Sequence, residues 1–337
     1  MALSPKQNFI NALTHKETEW VPVFVADCAP VGFAAGPGPW IEKGPFGGGL
    51  DGFGVRWVTP ASGGGAPIPA PNEHMMDSET VVNWREIVKF PDLEAVDWET
   101  MAKMEFEMFH VNPETQAVDF GCGNGVFERL AALMGFEETL IALMEEPESC
   151  YELMEAITDY KIEFAKKVKQ YYNPDSFTNY DDIATERGLF MSPDTYRKLI
   201  KPHHKRLYDA VRELGMINIQ HTCGLCEDLV EDMIEIGVDC WTSVQPTNDI
   251  VKLQEKYGDR ITFMGGFDTN GAPAQPDATT EMRMEEVHRC IDTYGKNPGY
   301  IFFGFVLVDT IDPAEIGKVL MPMVMEAARY AHEVAAK

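Results

Sequence analysis

The amino-acid sequence predicts an α/β protein folded as a (β/α)8 TIM barrel, and two observations support this fold class. Short apolar stretches alternate with longer amphipathic ones through the second half of the chain, which favours βαβ units and a parallel sheet. So many units in one chain favour a closed barrel over an open sheet. The 337 residues contain no internal repeat and no evident domain boundary. We therefore expect a single barrel domain that covers residues 1–337.

Three pairs of a capping residue and a proline mark helix starts. Ser4-Pro5, Ser192-Pro193 and Asp312-Pro313 each place a capping side chain before a proline that suits the first helical turn. From Pro174 onward we expect five strands that alternate with five helices. The expected strands are 176–180, 216–220, 238–244, 261–265 and 300–305. The expected helices are 193–214, 226–236, 249–257, 280–294 and 313–335.

The first half of the chain supplies the remaining strands and a long insert. The strands expected there are 21–26, 54–58 and 117–120. Between Val31 and Asn72 the chain is crowded with Gly and Pro, as in "GPFGGGLDGFG". Aromatic residues punctuate this segment, namely Phe33, Trp40, Phe46, Phe53 and Trp57. Long loops of this kind usually carry function, so we expect a Gly/Pro-rich N-terminal insert that acts as a lid or binding loop.

Composition and charge exclude several classes of protein. The sequence is 45% hydrophobic but has no apolar run long enough to span a membrane, as is typical of a soluble globular protein. Residues 1–20 lack the pattern of a secretion signal, so we expect a cytoplasmic location. A net charge of −26 argues against binding to nucleic acid or to an anionic membrane. It also disfavours strongly anionic substrates unless a local basic pocket offsets it.

The stretch "AVDFGCGNGVFERL" (117–130) resembles the Gly-rich loop of an S-adenosylmethionine site. Such a site needs a second strand after the first helix, ending in an acidic residue that binds the ribose. The sequence after Leu130 instead indicates one helix followed by another. We therefore interpret the glycines as a tight turn from a strand to a helix.

The stretch "INIQHTCGLCEDL" carries the strongest chemical signal. An apolar strand brings His221 and Cys223 to its carboxyl end, where barrel enzymes keep their active sites. Residues two apart on an extended segment face the same way, so imidazole and thiolate could share one Zn²⁺ ion. Cys226 extends the motif, although it could equally face inward on the following helix. The seven cysteines are an odd number without a secretion signal, which favours free thiols or metal ligands over disulfides.

Four longer stretches together resemble the uroporphyrinogen decarboxylase superfamily. They are "QNFINALTHKETEWVPVF" near the start, "DDIATERGLFMSPDTYRKLIKPHHKRL" (181–207), "HTCG" with "GVDCWTSVQP" downstream, and "YGDRITFMGGFDT" (257–269). The resemblance extends over most of the chain and is weakest in the insert. It implies a (β/α)8 barrel, and the superfamily contains both true decarboxylases and cobamide-dependent methyltransferases.

The decarboxylase branch fits this chain poorly. Its members hold a polycarboxylate tetrapyrrole through an Arg-rich segment after the first strand, and they carry an essential Asp near the end of the second. Here the first arginine is Arg56, and the acidic position falls at Thr59-Pro60. Binding many carboxylates without guanidinium groups, in a protein with a net charge of −26, is electrostatically unfavourable. The resemblance therefore favours methyl transfer.

In the methyltransferase branch, the H-x-C at this position provides zinc ligands, and the methyl group passes to or from the cobalt of a corrinoid on a partner protein. The resemblance thus implies zinc at His221 and Cys223, and a corrinoid protein as partner. Thiol-alkylating members add a Cys near the last strand, but "GYIFFGFVLVDT" contains none. The third ligand stays open between Cys226, Glu186 and a carboxylate from the N-terminal half; alternatively, the site binds no metal.

The missing cysteine disfavours a thiol acceptor, because activation of the thiol is the reason those members need zinc. We therefore expect a small, aromatic methyl ether as methyl donor, whose methyl group passes to Co(I) in an O-demethylation. The leaving oxygen then needs a proton or a Lewis acid. The aromatic residues of the insert, with Phe303 and Phe305, suit an aromatic guest, but they would equally fill a core.

The expected site residues form three sets. Asp182 and His221 are the expected catalytic residues, because both lie inside the matched motifs. The expected metal ligands are His221, Cys223 and Cys226. The expected substrate-binding residues are Asp27, Asp181, Gln245, Asp268 and Phe305. Each carboxylate has a structural alternative, since an Asp at a strand end also caps the loop that follows.

Three other functions stay open from the sequence. They are transfer from methylcobamide to a thiol or pterin, a decarboxylase-type lyase, and a non-catalytic barrel that binds a corrinoid protein or tetrapyrrole. The corrinoid is expected on a separate protein, because the chain has no D-x-H-x-x-G signature. A small-molecule methyl donor and a homodimer complete the expected partners.

Overall fold

The computed structural model describes residues 2–32, 41–45, 47–60, 67–308, 310 and 312–337. In chain order its strands are β1 (Cys28–Val31), β2 (Gly49–Leu50), β3 (Arg56–Val58), β4 (Ile68–Pro69), β5 (Ala117–Cys122), β6 (Ser176–Tyr180), β7 (Ala184–Thr185), β8 (Gly188–Leu189), β9 (Ile217–His221), β10 (Cys240–Val244), β11 (Thr262–Gly266) and β12 (Tyr300–Phe303). Seven of these strands form a parallel sheet in the order β1-β5-β6-β9-β10-β11-β12. A bridge between Val23 and Phe302 joins the segment before β1 to β12, so the two edges of the sheet meet. The α/β class and parallel sheet are confirmed, whereas an eighth strand is not found among the described residues.

Helices connect the strands of this sheet. They are α1 (Pro5–Leu13), α2 (Trp84–Ile87), α3 (Trp98–Met108), α4 (Val126–Met134), α5 (Phe136–Glu145), α6 (Pro147–Tyr171), α7 (Pro193–Thr195), α8 (Lys201–Glu213), α9 (Val230–Glu235), α10 (Ile250–Tyr257), α11 (Thr280–Tyr294) and α12 (Pro313–Ala335). Short 3₁₀ turns lie at Val81–Asn83, Leu93–Ala95, Glu227–Leu229 and Ala272–Ala274, and a π-helical turn at Tyr196–Ile200. Within the described ranges, no helix has the length and apolar character needed to cross a membrane.

The predicted helix starts are confirmed. Ser4, Ser192 and Asp312 each accept a hydrogen bond from a backbone N–H of the first turn that follows. The predicted single helix over 193–214 is wrong, because a π-helical turn separates α7 from α8. Pro202 lies at the start of α8 and has no N–H to donate to the preceding turn, which accounts for the break in the regular pattern.

The strands predicted from residue 176 onward are confirmed to within two residues at each end. In the first half, 117–120 is confirmed as part of β5, but 21–26 is wrong. Val25 has a φ of +76°, and the N–H of Asp27 bonds to the Val23 carbonyl, so residues 23–27 form a turn and the strand begins at Cys28. The predicted strand 54–58 is also misplaced, because β3 pairs with β2 and β4 in a separate antiparallel sheet.

Side chains inside the large sheet alternate with side chains that pack on the helices. Ile219, Met264 and Ile301 point to one cluster, which Phe9 and Leu13 of α1 complete. Because strand residues two apart share a face, His221 points to the same side as Ile219, one step closer to the carboxyl end of β9. The His221 side chain therefore lies at the opening formed by the carboxyl ends of the strands, which we call the mouth of the sheet.

Part of the predicted lid lies outside the described residues, namely Phe33, Trp40 and Phe46. In the described part of the insert, β2, β3 and β4 form the small antiparallel sheet. Phe53 and Trp57 are buried in the main core, with 2% and 3% of their surface exposed. These two aromatic residues therefore stabilise the fold, which supports the alternative that the aromatic residues of the insert fill a core.

A buried histidine makes the stability of the fold sensitive to acid. His203 of α8 packs on the Tyr151 ring, and neither of its ring nitrogens has a hydrogen-bond partner among the described residues. Burial lowers the pKa of His203 to about 4, from about 6.5 in an unfolded chain. The fold thus favours the neutral ring, so stability is complete above about pH 6.5 and falls as the pH is lowered toward 4.

We expect His203→Leu to flatten this dependence. The melting temperature of the wild type should drop between pH 7 and pH 4 by a few degrees more than that of the variant. The exposed His110 is the matched control, and His110→Leu should follow the wild-type profile. Parallel pH profiles for the wild type and His203→Leu would contradict this account.

Candidate functional site

Three side chains meet at the carboxyl ends of two neighbouring strands. His221 is the last residue of β9, Cys223 follows it, and Asp182 follows β6, which pairs with β9. Cys223 Sγ lies 3.4 Å from His221 Nε2, and Asp182 Oδ1 lies 4.0 Å from the same nitrogen. All three ligand atoms lie within 4.8 Å of one another. Among the described residues this is the group that could hold a metal ion.

The backbone around Cys223 is fixed by hydrogen bonds from three directions. Its N–H donates to Asp182 Oδ1 at 2.8 Å. The next residue, Gly224, has a φ of +90°, and a Cβ there would lie 2.5 Å from the Thr185 carbonyl oxygen. Gly224 N–H donates to Gln245 Oε1 at 2.7 Å, and the Asn248 side chain donates to the Gly224 carbonyl at 2.9 Å. Glycine is therefore required at this turn, which holds the thiol beside the imidazole.

Charges around the group favour the binding of a cation. Burial lowers the pKa of His221, and the Lys43 ammonium adds to this effect, whereas Asp182 opposes it. Burial also raises the pKa of the Cys223 thiol well above its usual value, as do the carboxylates of Asp182 and Glu128. Without a cation the thiol therefore keeps its proton. A divalent ion would supply the positive charge that stabilises a thiolate among these acids.

The donor set fits zinc. Zinc binds thiolate sulfur, imidazole nitrogen and carboxylate oxygen, and sites with three protein ligands leave a position for substrate. The His221 and Asp182 side chains are 12% and 35% exposed, so the group is reachable from the mouth of the sheet. The three residues therefore offer a site of the catalytic rather than the closed structural type.

Asp182 joins this group, whereas Cys226 does not. The Cys226 side chain is fully buried, and its Sγ lies 3.4 Å from the Cys223 carbonyl oxygen and 3.8 Å from Thr222 Oγ1. Glu186 is half exposed between β7 and β8 and faces Arg187. Neither belongs to the cluster of ligand atoms, and the third ligand that the geometry offers is a carboxylate after β6.

Asp181 holds the adjacent helix in place. Its buried carboxylate accepts hydrogen bonds from the Phe127 and Glu128 N–H groups at 3.0 and 2.7 Å, and it lies 2.6 Å from His204 Nε2. A Cβ at Gly125 would lie 2.2 Å from Asp181 Cβ, so only glycine lets α4 begin against this carboxylate. With no exposed surface, Asp181 supports the site rather than offering a contact to substrate.

Asp27 lies at the amino end of its strand. The expected strand 21–26 would have placed it at a carboxyl end, but β1 starts one residue after it. Its carboxylate accepts hydrogen bonds from the Val23 N–H at 2.9 Å and from Trp20 Nε1 at 3.3 Å, and burial raises its pKa. Asp27 therefore closes the turn before β1.

The remaining expected substrate-binding residues follow β10, β11 and β12. Gln245 is 7% exposed and joins two loops, since it accepts from Gly224 and donates to Thr269 Oγ1 at 2.6 Å. Asp268 accepts from the Gly271 N–H at 2.8 Å within its own turn. Phe305 stacks on Phe303, with ring centroids 5.6 Å apart. These contacts place all three at the strand ends, where Gln245 and Asp268 shape the loops around the mouth.

The Gly-rich turn after β5 is a strand-to-helix turn, as predicted. Helices α4, α5 and α6 follow it in succession, and no strand comes before β6 at Ser176. Gly125 N–H donates to the Tyr180 carbonyl, which ties this turn to the end of β6. The fold thus lacks the strand that a ribose-binding residue would need.

Sequence reasoning missed four residues beside the group. Glu128 lies in the first turn of α4, Lys43 in the insert, Tyr180 at the end of β6, and Asn248 after β10. Tyr180 was the easiest to find, because it is the last residue of its strand and precedes two acids. The others reach the site from distant parts of the chain, and no local pattern marks them.

Comparison with known proteins identifies the family. The family model "Uroporphyrinogen decarboxylase (URO-D)" matches residues 98–320. The chain therefore belongs to the uroporphyrinogen decarboxylase family, whose fold is a barrel of the TIM type.

One solved structure supports this type of fold. The chain is similar to a methyltransferase from Methanosarcina mazei, with a TM-score of 0.69, 15% identity, and coverage of 96% of this chain and 99% of that chain. A D-psicose 3-epimerase in the presence of D-fructose is similar at a TM-score of 0.35 and 12% identity, over 77% of this chain and 86% of that chain, which is too distant to support an argument. No curated protein matches the sequence.

Proposed function

We propose that this chain is a corrinoid-dependent methyltransferase that takes a methyl group from a small aromatic methyl ether and passes it to Co(I) of a corrinoid on a partner protein. The proposal rests on Asp182, His221 and Cys223, which meet at the carboxyl ends of adjacent strands. Family membership and the similarity in fold to the M. mazei methyltransferase support it.

Asp182, His221 and Cys223 would hold a zinc ion. Bound zinc supplies Lewis-acid chemistry, which lowers the energy of an ether oxygen as it becomes a leaving group. The protein groups hold this position partly buried, where electrostatic effects are stronger than in water. The N–H of Cys223 orients Asp182 through its hydrogen bond to Oδ1, so the carboxylate is fixed before substrate arrives.

The transfer breaks the C–O bond of the ether, and the electron pair of that bond stays on the oxygen. The methyl group forms its new bond with the electron pair of Co(I), so the oxygen must take up a proton to leave as a phenol. We assign that proton to Glu128, whose pKa is raised well above the usual value by burial and by the Asp182 and Asp181 carboxylates. The Lys43 ammonium, which acts on both Glu128 and His221, stabilises negative charge on the oxygen.

Aromatic rings at the strand ends support an aromatic donor. Tyr180 ends β6, and Phe303 and Phe305 form a stacked pair at the end of β12. Rings of this kind bind flat apolar guests through stacking and edge contacts.

The test is an anaerobic methyl-transfer assay. Purified protein is loaded with Zn²⁺ and mixed with cobalamin held as Co(I) and a pool of methoxybenzenes. We expect the Co(I) absorbance to fall as methyl-Co(III) forms, only when both protein and ether are present. In the reverse assay, methylcobalamin with thiols or a pterin should show no transfer above the background without protein.

The two assays separate the alternatives. Transfer only from methylcobalamin would establish the opposite direction and overturn the proposal. No transfer in either assay, by a protein that binds the metal and remains folded, would favour the non-catalytic barrel. Release of CO₂ from a carboxylated tetrapyrrole would establish the lyase.

A further inference from the structure

Within the described residues, Nδ1 of His221 lacks the hydrogen bond that usually orients a ligand histidine. A histidine that binds a metal through one ring nitrogen normally donates the other N–H to a carboxylate, a carbonyl or water, which fixes the plane of the ring. In His221, Nε2 faces Cys223 Sγ at 3.4 Å. The other nitrogen, Nδ1, is buried and has no hydrogen-bond partner within the described part of the chain.

The neighbour on one side gives the ring no polar contact. Thr242 of β10 lies opposite His221 in the register of the sheet and is 2% exposed. Its Oγ1 is itself buried without a hydrogen-bond partner among the described residues, so it does not bond to Nδ1. Thr242 therefore does not orient the imidazole through a hydrogen bond, and the strand on the other side of His221 is β6.

On that side, Tyr180 of β6 lies opposite His221 and covers the face of its ring. The ring centroids are 4.3 Å apart and the planes differ by 28°, which is a stacked arrangement. The backbone of Tyr180 is held in turn, because its carbonyl accepts the Gly125 N–H at the start of α4. A ring pressed against a fixed neighbour keeps its plane, and here that plane directs Nε2 toward Cys223 and Asp182.

We infer that Tyr180 is a positioning residue for the metal site, which orients His221 by stacking rather than by a hydrogen bond. The inference rests on the proposed function only in taking His221 as a metal ligand. It assigns the aromatic face of Tyr180, and not its hydroxyl, to this task. Hydrogen-bonded partners that orient metal ligands typically change metal affinity 10–100-fold when removed, and we expect an effect in the same range from the stacked ring.

Three variants test the inference through Zn²⁺ affinity, measured by competition with a chromogenic chelator. Tyr180→Leu removes the ring, and we expect it to weaken Zn²⁺ binding about tenfold or more. Tyr180→Phe keeps the ring and should bind Zn²⁺ as the wild type does. Phe177→Leu is the matched control: it removes a buried, stacked ring from the opposite face of the same strand and should leave Zn²⁺ affinity unchanged.

A spectrum adds a readout that a loss of general stability would not change. With Co²⁺ in place of Zn²⁺, the visible bands should shift in Tyr180→Leu and stay as in the wild type in the other two variants. Wild-type Zn²⁺ affinity in Tyr180→Leu would overturn the inference, as would equal losses in Tyr180→Phe or Phe177→Leu. Failure of methyl transfer with these metal results intact would instead overturn the proposed function and leave the role of Tyr180 standing.

Discussion

Cys223→Ala is expected to abolish tight Zn²⁺ binding and to lower the rate of methyl transfer on the order of 10³-fold, since Lewis-acid stabilisation contributes several kcal/mol. The remaining His221 and Asp182 would offer only a nitrogen and an oxygen, and the loss of the thiolate removes the ligand that distinguishes zinc from harder ions. Zinc content after dialysis, and the rate of Co(I) loss with a methoxybenzene, measure the two effects.

Cys226→Ala is the matched control for this prediction. Cys226 lies three residues along the chain, but its Sγ faces the Cys223 carbonyl and not the ligand atoms. The variant should keep its zinc. Loss of zinc in Cys226→Ala and retention in Cys223→Ala would show that the thiolate comes from Cys226, and the ligand group of Asp182, His221 and Cys223 would then be wrong.

Arg129→Met should destabilise the fold by about 3–5 kcal/mol, because it breaks a fully buried ion pair and leaves a charge behind. Arg129 of α4 donates to Asp51 Oδ2 at 2.7 Å and lies 3.5 Å from Glu42 Oε2, and Lys161 of α6 binds the same Glu42 oxygen at 2.8 Å. None of these four side chains is more than 8% exposed. The cluster therefore fastens the insert, including Lys43, to the helices around the site.

Denaturation by urea measures this effect. Arg85→Met is the control, since Arg85 pairs with Glu152 at 3.0 Å on the surface, with both side chains more than half exposed. Exposed pairs of this kind contribute about 0–1 kcal/mol. Equal losses of unfolding free energy in the two variants would contradict a structural role for the buried cluster.

Much of the second half of the fold follows from local sequence rules. The proline after a capping residue fixes the start of α12 at Pro313, and the helix predicted over 280–294 is confirmed as α11. The first half was harder to predict. Val25 adopts a positive φ that its side chain disfavours, and no residue pattern announces the turn it makes. The separate sheet of β2, β3 and β4 likewise depends on pairing within an insert without apolar alternation.

The sequence predicts the part of the site that lies at the carboxyl ends of the strands. His221 and Cys223 share one motif, and Asp182 was expected to be catalytic, so all three were singled out. Asp182, and not Cys226, completes the group because β6 pairs with β9. No local sequence pattern predicts that pairing. Glu128 and Lys43 reach the same place from about 50 and 140 residues before Asp182 along the chain, and such contacts require the folded chain.

The most direct test of the central proposal follows the methyl group itself. A methoxybenzene labelled with ¹³C in its methyl group is incubated with the zinc-loaded protein and Co(I) cobalamin, and the products are examined by NMR. We predict a ¹³C signal of methyl bound to cobalt, together with an equal amount of the corresponding phenol, and neither product with Cys223→Ala. Label that stays in the ether, for zinc-loaded and folded protein across a panel of aromatic methyl ethers, would contradict the proposal.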